Sequence, residues 1–251
     1  MGEKSSYTDR LLTRGIFATR LSHRRRFTTV INLLLGRKFS RALDYGCADG
    51  ALLKRAFEMK IIKSGIGVDS SDDMLISARA NCSNIATLQF CLPSDLSSHA
   101  GLRTIDLVIC TETLEHVNSP ADVLDSILPL CTSDARLLIS VPIEIGPALV
   151  IKQAGRYLAN LRGNYGYESY TLSELISGVV KSDVSTFPSS HTQADVSLRG
   201  HKGFDYRKLR EVVARRVVID REIYSPVSML GRLFNSTVIW LGHINHNASR
   251  E

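Results

Sequence analysis

The sequence predicts an α/β fold, a doubly wound sheet of seven strands that is mostly parallel, and three features carry that expectation. Short apolar runs alternate with helical patterns from residue 41 to residue 141. One run, Ala42 to Tyr45, breaks into a glycine turn and then a helical pattern, Gly46-Cys-Ala-Asp-Gly50. A second run, Gly65 to Val68, closes on a carboxylate, Asp69. Strands joined by crossover helices pair in parallel, and the helices then cover both faces of the sheet.

Ahead of the sheet, residues 8 to 36 carry apolar positions at helical spacing: Leu11, Leu12, Ile16, Phe17 and Leu21, then Val30, Ile31, Leu33, Leu34 and Leu35. The polar stretch Ser22 to Arg26 interrupts them, so two helices are expected there. The core then reads strand 41–45, helix 50–60, strand 65–69, helix 72–80, strands 86–91 and 105–110, helix 119–130 and strand 135–141. Pro142 closes the fifth strand. The following stretch is rich in aromatic and polar residues (Arg156-Tyr157, Tyr165-Gly-Tyr167-Glu-Ser-Tyr170, then Ser182 to Thr192) and reads as an insertion over the mouth of a site. A helix over 206–215 and strands over 217–223 and 237–241 finish the domain. One domain is expected over 1–251, with an N-terminal helical cap (1–38), a cofactor-binding core (39–141), a lid or substrate insertion (142–202) and a C-terminal helix with two strands (203–251).

The turn after the first strand suits a nucleotide cofactor. Glycines admit positive φ and let a ligand approach the backbone, and the helix N-terminus beyond presents unpaired N–H groups. An acid at the neighbouring strand tip is placed to accept hydrogen bonds from ribose hydroxyls. The pattern Asp44-x-Gly46-x-Ala48-x-Gly50 resembles motif I of the class I S-adenosylmethionine-dependent methyltransferases, in which the middle position is usually glycine. Ala48 is the mildest departure and is expected to tighten the loop.

That resemblance implies a Rossmann-like sheet whose last strand runs antiparallel, and S-adenosyl-L-methionine as methyl donor. It also implies a set of cofactor contacts. Asp44 would anchor the loop and reach the amino group. Gly46, Cys47 and Gly50 would let the backbone pass the methionine moiety, and Asp69 with Ser70 would take the ribose. In Cys91-Leu-Pro-Ser-Asp95-Leu96, Asp95 would accept from the adenine amino group while Leu96 packs on the ring. Thr111 would face the cofactor from the fourth strand.

Thr111-Glu112-Thr113-Leu114-Glu115-His116-Val117 follows that strand. In a helix, Glu112, Glu115 and His116 would share one face, and His116, with Glu115 beside it, could take the proton of a hydroxyl acceptor. The same E-x-x-E-H run resembles that of the ubiquinone-pathway O-methyltransferases and the small-RNA 2′-O-methyltransferases. Those groups imply an alternative in which Glu112, Glu115, His116 and a downstream His201, or His191, hold a divalent ion. His23, His99, His243 and His246 receive no role.

Lys plus Arg outnumber Asp plus Glu by 31 to 25, a net charge of +6, and much of the excess precedes residue 40: Arg10, Arg14, Arg20, Arg24, Arg25, Arg26, Arg37 and Lys38. A solvated helix face accounts for such a cluster, while nucleic acid, an anionic glycan or a membrane surface are the partners it could meet. Five cysteines without C-x-x-C spacing read as reduced packing residues of a cytoplasmic protein. No transmembrane segment is expected, because no apolar run approaches the ~18 residues that a span needs.

The expected function is O-methylation of a small molecule, saccharide or glycolipid. Bacterial polysaccharide and nodulation-factor sugar O-methyltransferases are one setting that the resemblance suggests. The alternatives are metal-dependent 2′-O-methylation of RNA, and a non-catalytic nucleic-acid or partner-binding module on a degenerate methyltransferase fold.

Overall fold

In the computed structural model the described residues are Thr8, 17–162, 170–181, 184 and 203–245. The most apolar runs lie at the centre of the sheet. Ala42 and Leu43 of β1 (Phe39–Tyr45) and Leu107 to Cys110 of β4 (Ile105–Thr111) are buried to 1% exposure or less, as expected for parallel strands covered on both faces. β2 (Ile62–Val68) and β3 (Leu88–Cys91) continue to one side of β1. β5 (Cys131–Pro142), β7 (Thr237–Ile244) and β6 (Val217–Ser225) continue beyond β4. The order is β3-β2-β1-β4-β5-β7-β6, and β7 alone runs antiparallel to its neighbours. Strand order therefore reverses between β1 and β4, where open α/β sheets leave a crevice at the carboxyl ends of the strands.

Local chemistry explains the helix boundaries. Gly50, at φ 72°, precedes α2 (Ala51–Glu58). The Ser71 hydroxyl accepts from Met74 N–H at the start of α3 (Asp72–Asn81), whose first turn carries Asp72 and Asp73. α4 (Leu96–His99) is a single turn. Ser119 caps α5 (Pro120–Ile127) by accepting from Asp122 N–H, with Pro120 in the first turn. Asp205 caps α8 (Tyr206–Ala214) and buries Tyr206, Leu209 and Val213 on one helical face. Two packed clusters result. One joins α2 and α3 to the sheet through Leu53, Ala56, Leu75 and Ala78; the other joins α4, α5 and α8 through Leu96, Leu124, Ile127, Leu209 and Val213.

The polar stretch expected to separate two helices does not do so among the described residues. A single helix, α1, runs Phe17–Leu34 straight through it. Arginine propagates a helix nearly as well as alanine, and the stretch holds no Gly or Pro. Arg24 and Arg25 are exposed, Arg26 is half-buried, and Val30, Ile31 and Leu34 close the helix onto the α2–α3 face of the core. Strand boundaries also move, with β2 beginning three residues and β5 four residues before the expected starts.

Within the insertion, α6 (Pro147–Arg162) and α7 (Leu172–Ile176) are described, the latter running into a π-helical turn over Ser177–Lys181. α6 packs against that turn and against α9 (Gly231–Phe234). It is tied to the end of β5 through Lys152, whose Nζ donates to Ile143 O and to buried Glu144 Oε1, both at 2.8 Å. No helix among the described residues is long and apolar enough to cross a membrane.

Candidate active site

Four strand tips converge on a cavity of about 510 Å³ at the sheet reversal, a size ordinary for a small-molecule site. Its strand-side wall begins with the glycine turn. Gly46 N–H and Cys47 N–H both donate to Val68 O, at 2.7 and 2.9 Å, so the turn is stitched to the end of β2. Gly46 sits at φ 85°, and a Cβ there would lie 2.0 Å from Thr113 Oγ1. Gly50 faces Phe90 instead, 2.9 Å from an ideal Cβ, so its glycine serves the seating of that ring. Ala48 adopts φ 46°, the left-handed region that its glycine counterpart would occupy at lower cost. Its N–H donates to Asp69 Oδ2 at 2.9 Å, while Asp69 Oδ1 accepts from Ser71 N–H at 2.9 Å.

Asp44 supplies the charge of this wall. It is 1% exposed and its Oδ1 has no hydrogen-bond partner. Burial, reinforced by the Asp69 carboxylate, pushes its pKa up from 3.8 to about 7. A buried, unpartnered carboxylate at a cavity wall fits a cationic ligand group. Asp69 still has lone pairs for hydroxyl donors, since a carboxylate accepts at about four positions. The residues present therefore fit the amino group, sulfonium and ribose of S-adenosylmethionine. Cys47 lines the same wall, with its thiol pushed far up by burial and the nearby Asp44 and Asp69.

Of the sequence-predicted cofactor residues, Asp44, Gly46, Cys47, Asp69, Ser70 and Thr111 line the cavity. Asp95 and Leu96 do not. Asp95 is exposed and accepts from the Ser94 hydroxyl at 3.1 Å, while Leu96 is buried in the core beneath α4. Pro93 is the residue of that loop that reaches the cavity.

The segment after β4 is a turn, not the helix that the one-face reading required. Glu112 takes φ 52°, which turns the chain out of a right-handed helical path. Its N–H donates to Ser140 O at 2.8 Å, and its carboxylate pairs with Arg26 Nη1 at 2.9 Å and accepts from the Ser140 hydroxyl at 3.4 Å. Glu115 turns inward with a fully buried side chain, and neither of its carboxylate oxygens has a hydrogen bond. Burial pushes its pKa well above the carboxylate range, Glu112 adds to the rise, and Arg26 and Lys152 oppose it. His116 faces the cavity and keeps Nε2 3.9 Å from Glu115 Oε1. Glu112 and His116 thus both line the cavity, while Glu115 lies buried beside His116. No cluster of three or more metal-ligating side chains occurs among the described residues, and His201 and His191 lie outside them. Glu112 already holds an internal cation and Glu115 faces the core, so these residues do not fit a divalent ion.

Five contributors to the cavity are not singled out by the sequence. His23, Arg26 and Phe27 come from α1, and Val30 follows one turn later. Thr8 also lines it, donating its N–H to Asp49 Oδ2 at 2.7 Å and its hydroxyl to Asp49 Oδ1, with Asp49 wholly buried. The insertion expected over the mouth supplies no described lining residue; the described cover comes from α1 and Thr8. The helical period of α1 could have placed Phe27 and Val30 on an inner face, but nothing local reveals that Arg26 turns inward.

A family profile described as a methyltransferase domain matches residues 20–172. A protein of Glaesserella parasuis named ubiquinone biosynthesis O-methyltransferase is 32% identical over 148 residues, which is 55% of this chain and 61% of that protein. A protein of the same name from Methylococcus capsulatus is 29% identical over 154 residues, 59% of this chain and 62% of that one. The chain thus spans about three fifths of the length of these curated relatives. Among solved structures, the N-methyltransferase NodS of Bradyrhizobium japonicum in complex with S-adenosyl-L-homocysteine aligns with a TM-score of 0.56 at 10% identity, covering 95% of this chain and 97% of that one. A Haloferax volcanii complex of the Trm112 activator with a methyltransferase aligns with a TM-score of 0.57 at 14% identity over 90% of each chain. At these identities the likeness is one of fold.

Proposed function

Since the chain belongs to the class I S-adenosylmethionine-dependent methyltransferase family, we propose that it transfers a methyl group from that donor to a hydroxyl oxygen of a small molecule or saccharide. The observation that carries this reading is the buried, unpartnered carboxylate of Asp44 sharing one cavity with the imidazole of His116. The donor, when bound, supplies a methyl group on a sulfonium, and the residues of this chain hold and deprotonate. Asp44 answers the positive charge, Asp69 accepts from ribose hydroxyls, and the stitched turn fixes both. His116 takes the hydroxyl proton, since alignment and proton removal are what such a displacement asks of the protein. Glu115 lies buried 3.9 Å from its Nε2, close enough for its charge state to bear on the ring's proton. The name carried by the two curated relatives supports an oxygen acceptor.

Calorimetric titration with S-adenosylhomocysteine tests the donor half. Binding that falls at least ~10-fold in Asp69→Ala is expected, from the loss of two or more hydrogen bonds to a charged group. A folded wild-type protein that does not bind sinks the proposal. Transfer of a labelled methyl group to phenol, methyl glucoside and a short oligoribonucleotide tests the acceptor half, and turnover is expected to survive EDTA.

A further inference from the structure

The α1 wall holds a histidine to which neither the fold nor the sequence pattern assigns a task. Arg26 is its organising neighbour, with Nη1 on Glu112 Oε2 at 2.9 Å and Nη2 3.2 Å from His23 Nδ1. A guanidinium has donors only, so Nδ1 must be the accepting nitrogen and the single proton of a neutral ring lies on Nε2. Burial, helped by the adjacent Arg26 charge, pulls the His23 pKa from 6.5 down to about 4, so the ring is uncharged at neutral pH. A ring with that tautomer and that pKa is a poor base and a fixed donor, which separates it from His116 on the opposite wall. The positive charge of Arg26 is meanwhile matched by Glu112, and Arg24 and Arg25 face solvent. Among the described residues, the mouth between α1 and the β4 turn therefore offers the His23 N–H and apolar surface from Phe27, Val30 and Val117, and its one arginine, Arg26, is already paired.

We infer that His23 binds the methyl acceptor by donating its Nε2–H to an oxygen lone pair, with Arg26 as the positioning residue that fixes the tautomer, and that the acceptor is uncharged where it meets α1. This inference rests on the methyl-transfer reading and assigns the acceptor side of the same cavity. It agrees with the solvated helix face expected for the N-terminal charge cluster: Arg24 and Arg25 are exposed, and Arg26, the one described arginine of α1 that lines the cavity, is neutralised internally.

The test uses imidazole 15N NMR on the full chain loaded with S-adenosylhomocysteine. His23 is expected to show the Nε2–H tautomer and to remain neutral down to about pH 5, well below where an ordinary histidine titrates. Arg26→Met is expected to release the lock and yield a mixture of tautomers. Phenol, the neutral hydroxyl probe, is expected to shift the Nε2 signal more than 4-hydroxybenzoate does. In the methyl-transfer assay, His23→Leu is expected to raise the KM for phenol about 10-fold with kcat nearly unchanged, the signature of a lost binding hydrogen bond, while His23→Asn keeps a donor and recovers part of it. An Nδ1–H tautomer, protonation near an ordinary histidine pKa, or an Nε2 signal that answers the benzoate more strongly overturns the inference. Each of those results leaves S-adenosylhomocysteine binding intact, whereas failure of the methyl-donor reading shows as loss of that binding in the wild type.

Discussion

The wall of the cavity built from strand tips and the wall built from α1 hold their side chains by different means. On the strand side, backbone amides fix the Asp69 carboxylate, gripped by Ala48 and Ser71 N–H, and Gly46 and Cys47 N–H pin the turn to β2. On the helix side the link is between side chains, Arg26 to Glu112 and to His23. Backbone geometry is set by the sheet register, so the first wall is rigid before any ligand arrives. Side-chain links turn about rotatable bonds that the sheet register does not fix, so the second wall is the more adjustable of the two. On the proposed reading, the first would bind the common donor and the second would choose the acceptor.

The sharpest attack on that contrast is Gly46→Ala. A methyl group 2.0 Å from Thr113 Oγ1 at φ 85° cannot be absorbed without moving the turn, so binding of S-adenosylhomocysteine by calorimetry is expected to vanish and the melting temperature to fall. Next comes His116→Ala, for which methyl transfer is expected to drop about 10²–10⁴-fold, the usual worth of a general base, while S-adenosylhomocysteine affinity is retained. Equal loss of both would mean that His116 serves donor binding and not proton removal alone.

Asp44→Asn sharpens the electrostatic side. The folded-state pKa of Asp44 is raised from 3.8 to about 7, so across that interval the folded chain holds a proton that the unfolded chain has released. Asp44 therefore destabilises the ligand-free protein increasingly as pH rises from about 4 to about 7, by an amount on the order of a few kcal/mol at ~1.4 kcal/mol per pK unit. Urea denaturation of the ligand-free proteins should show the asparagine variant gaining on the wild type across that range and holding a constant lead above it. A flat difference would remove the carboxylate's buried charge from the account. Its affinity for S-adenosylmethionine should fall nonetheless, because the amide offers no charge to the ligand.

Arg26→Met should leave S-adenosylhomocysteine affinity within about threefold and cost roughly 1–3 kcal/mol of stability, because it leaves the largely buried Glu112 carboxylate without its cation. An effect on that affinity as large as that of Asp69→Ala would erase the distinction between the walls. The smallest change expected is Ala48→Gly, which relieves a left-handed alanine at φ 46° and should stabilise the folded turn by under about 1 kcal/mol in thermal melts, the gain being limited by the added freedom of unfolded glycine.

Those two walls also differ in how far the sequence reveals them. The strand-side residues are consecutive in short motifs whose spacing follows from one strand ending in one turn, so Asp44, Gly46, Asp69 and Thr111 could be named from the sequence and do line the cavity. The topology followed likewise, because crossover helices leave few choices for the sheet. His23 and Arg26 face the cavity only because α1 crosses the sheet at one particular rotation, a tertiary fact with no local mark. Glu115 was misdirected by a local assumption: a helix would have put it beside Glu112, but the left-handed Glu112 sends it into the core. Leu96 was drawn from the cavity by the pull of an apolar side chain toward the packed interior beneath α4.

Phe90 links parts of the chain that lie 17 to 40 residues from one another along the sequence. An ideal Cβ at Gly67 would fall 2.5 Å from its ring and one at Gly50 2.9 Å from it. Gly67 is therefore crowded by an aromatic residue on the neighbouring strand, and Gly50 is required both by that ring and by its own left-handed φ of 72°, so positions 67 and 90 should vary together across related sequences. A smaller residue at 90 would remove the two nearest of the contacts at 67 and leave Cys47 Sγ at 2.8 Å, so Gly67→Ala should cost less in a Phe90→Ala background than alone, a coupling that a double-mutant cycle of unfolding free energies measures directly.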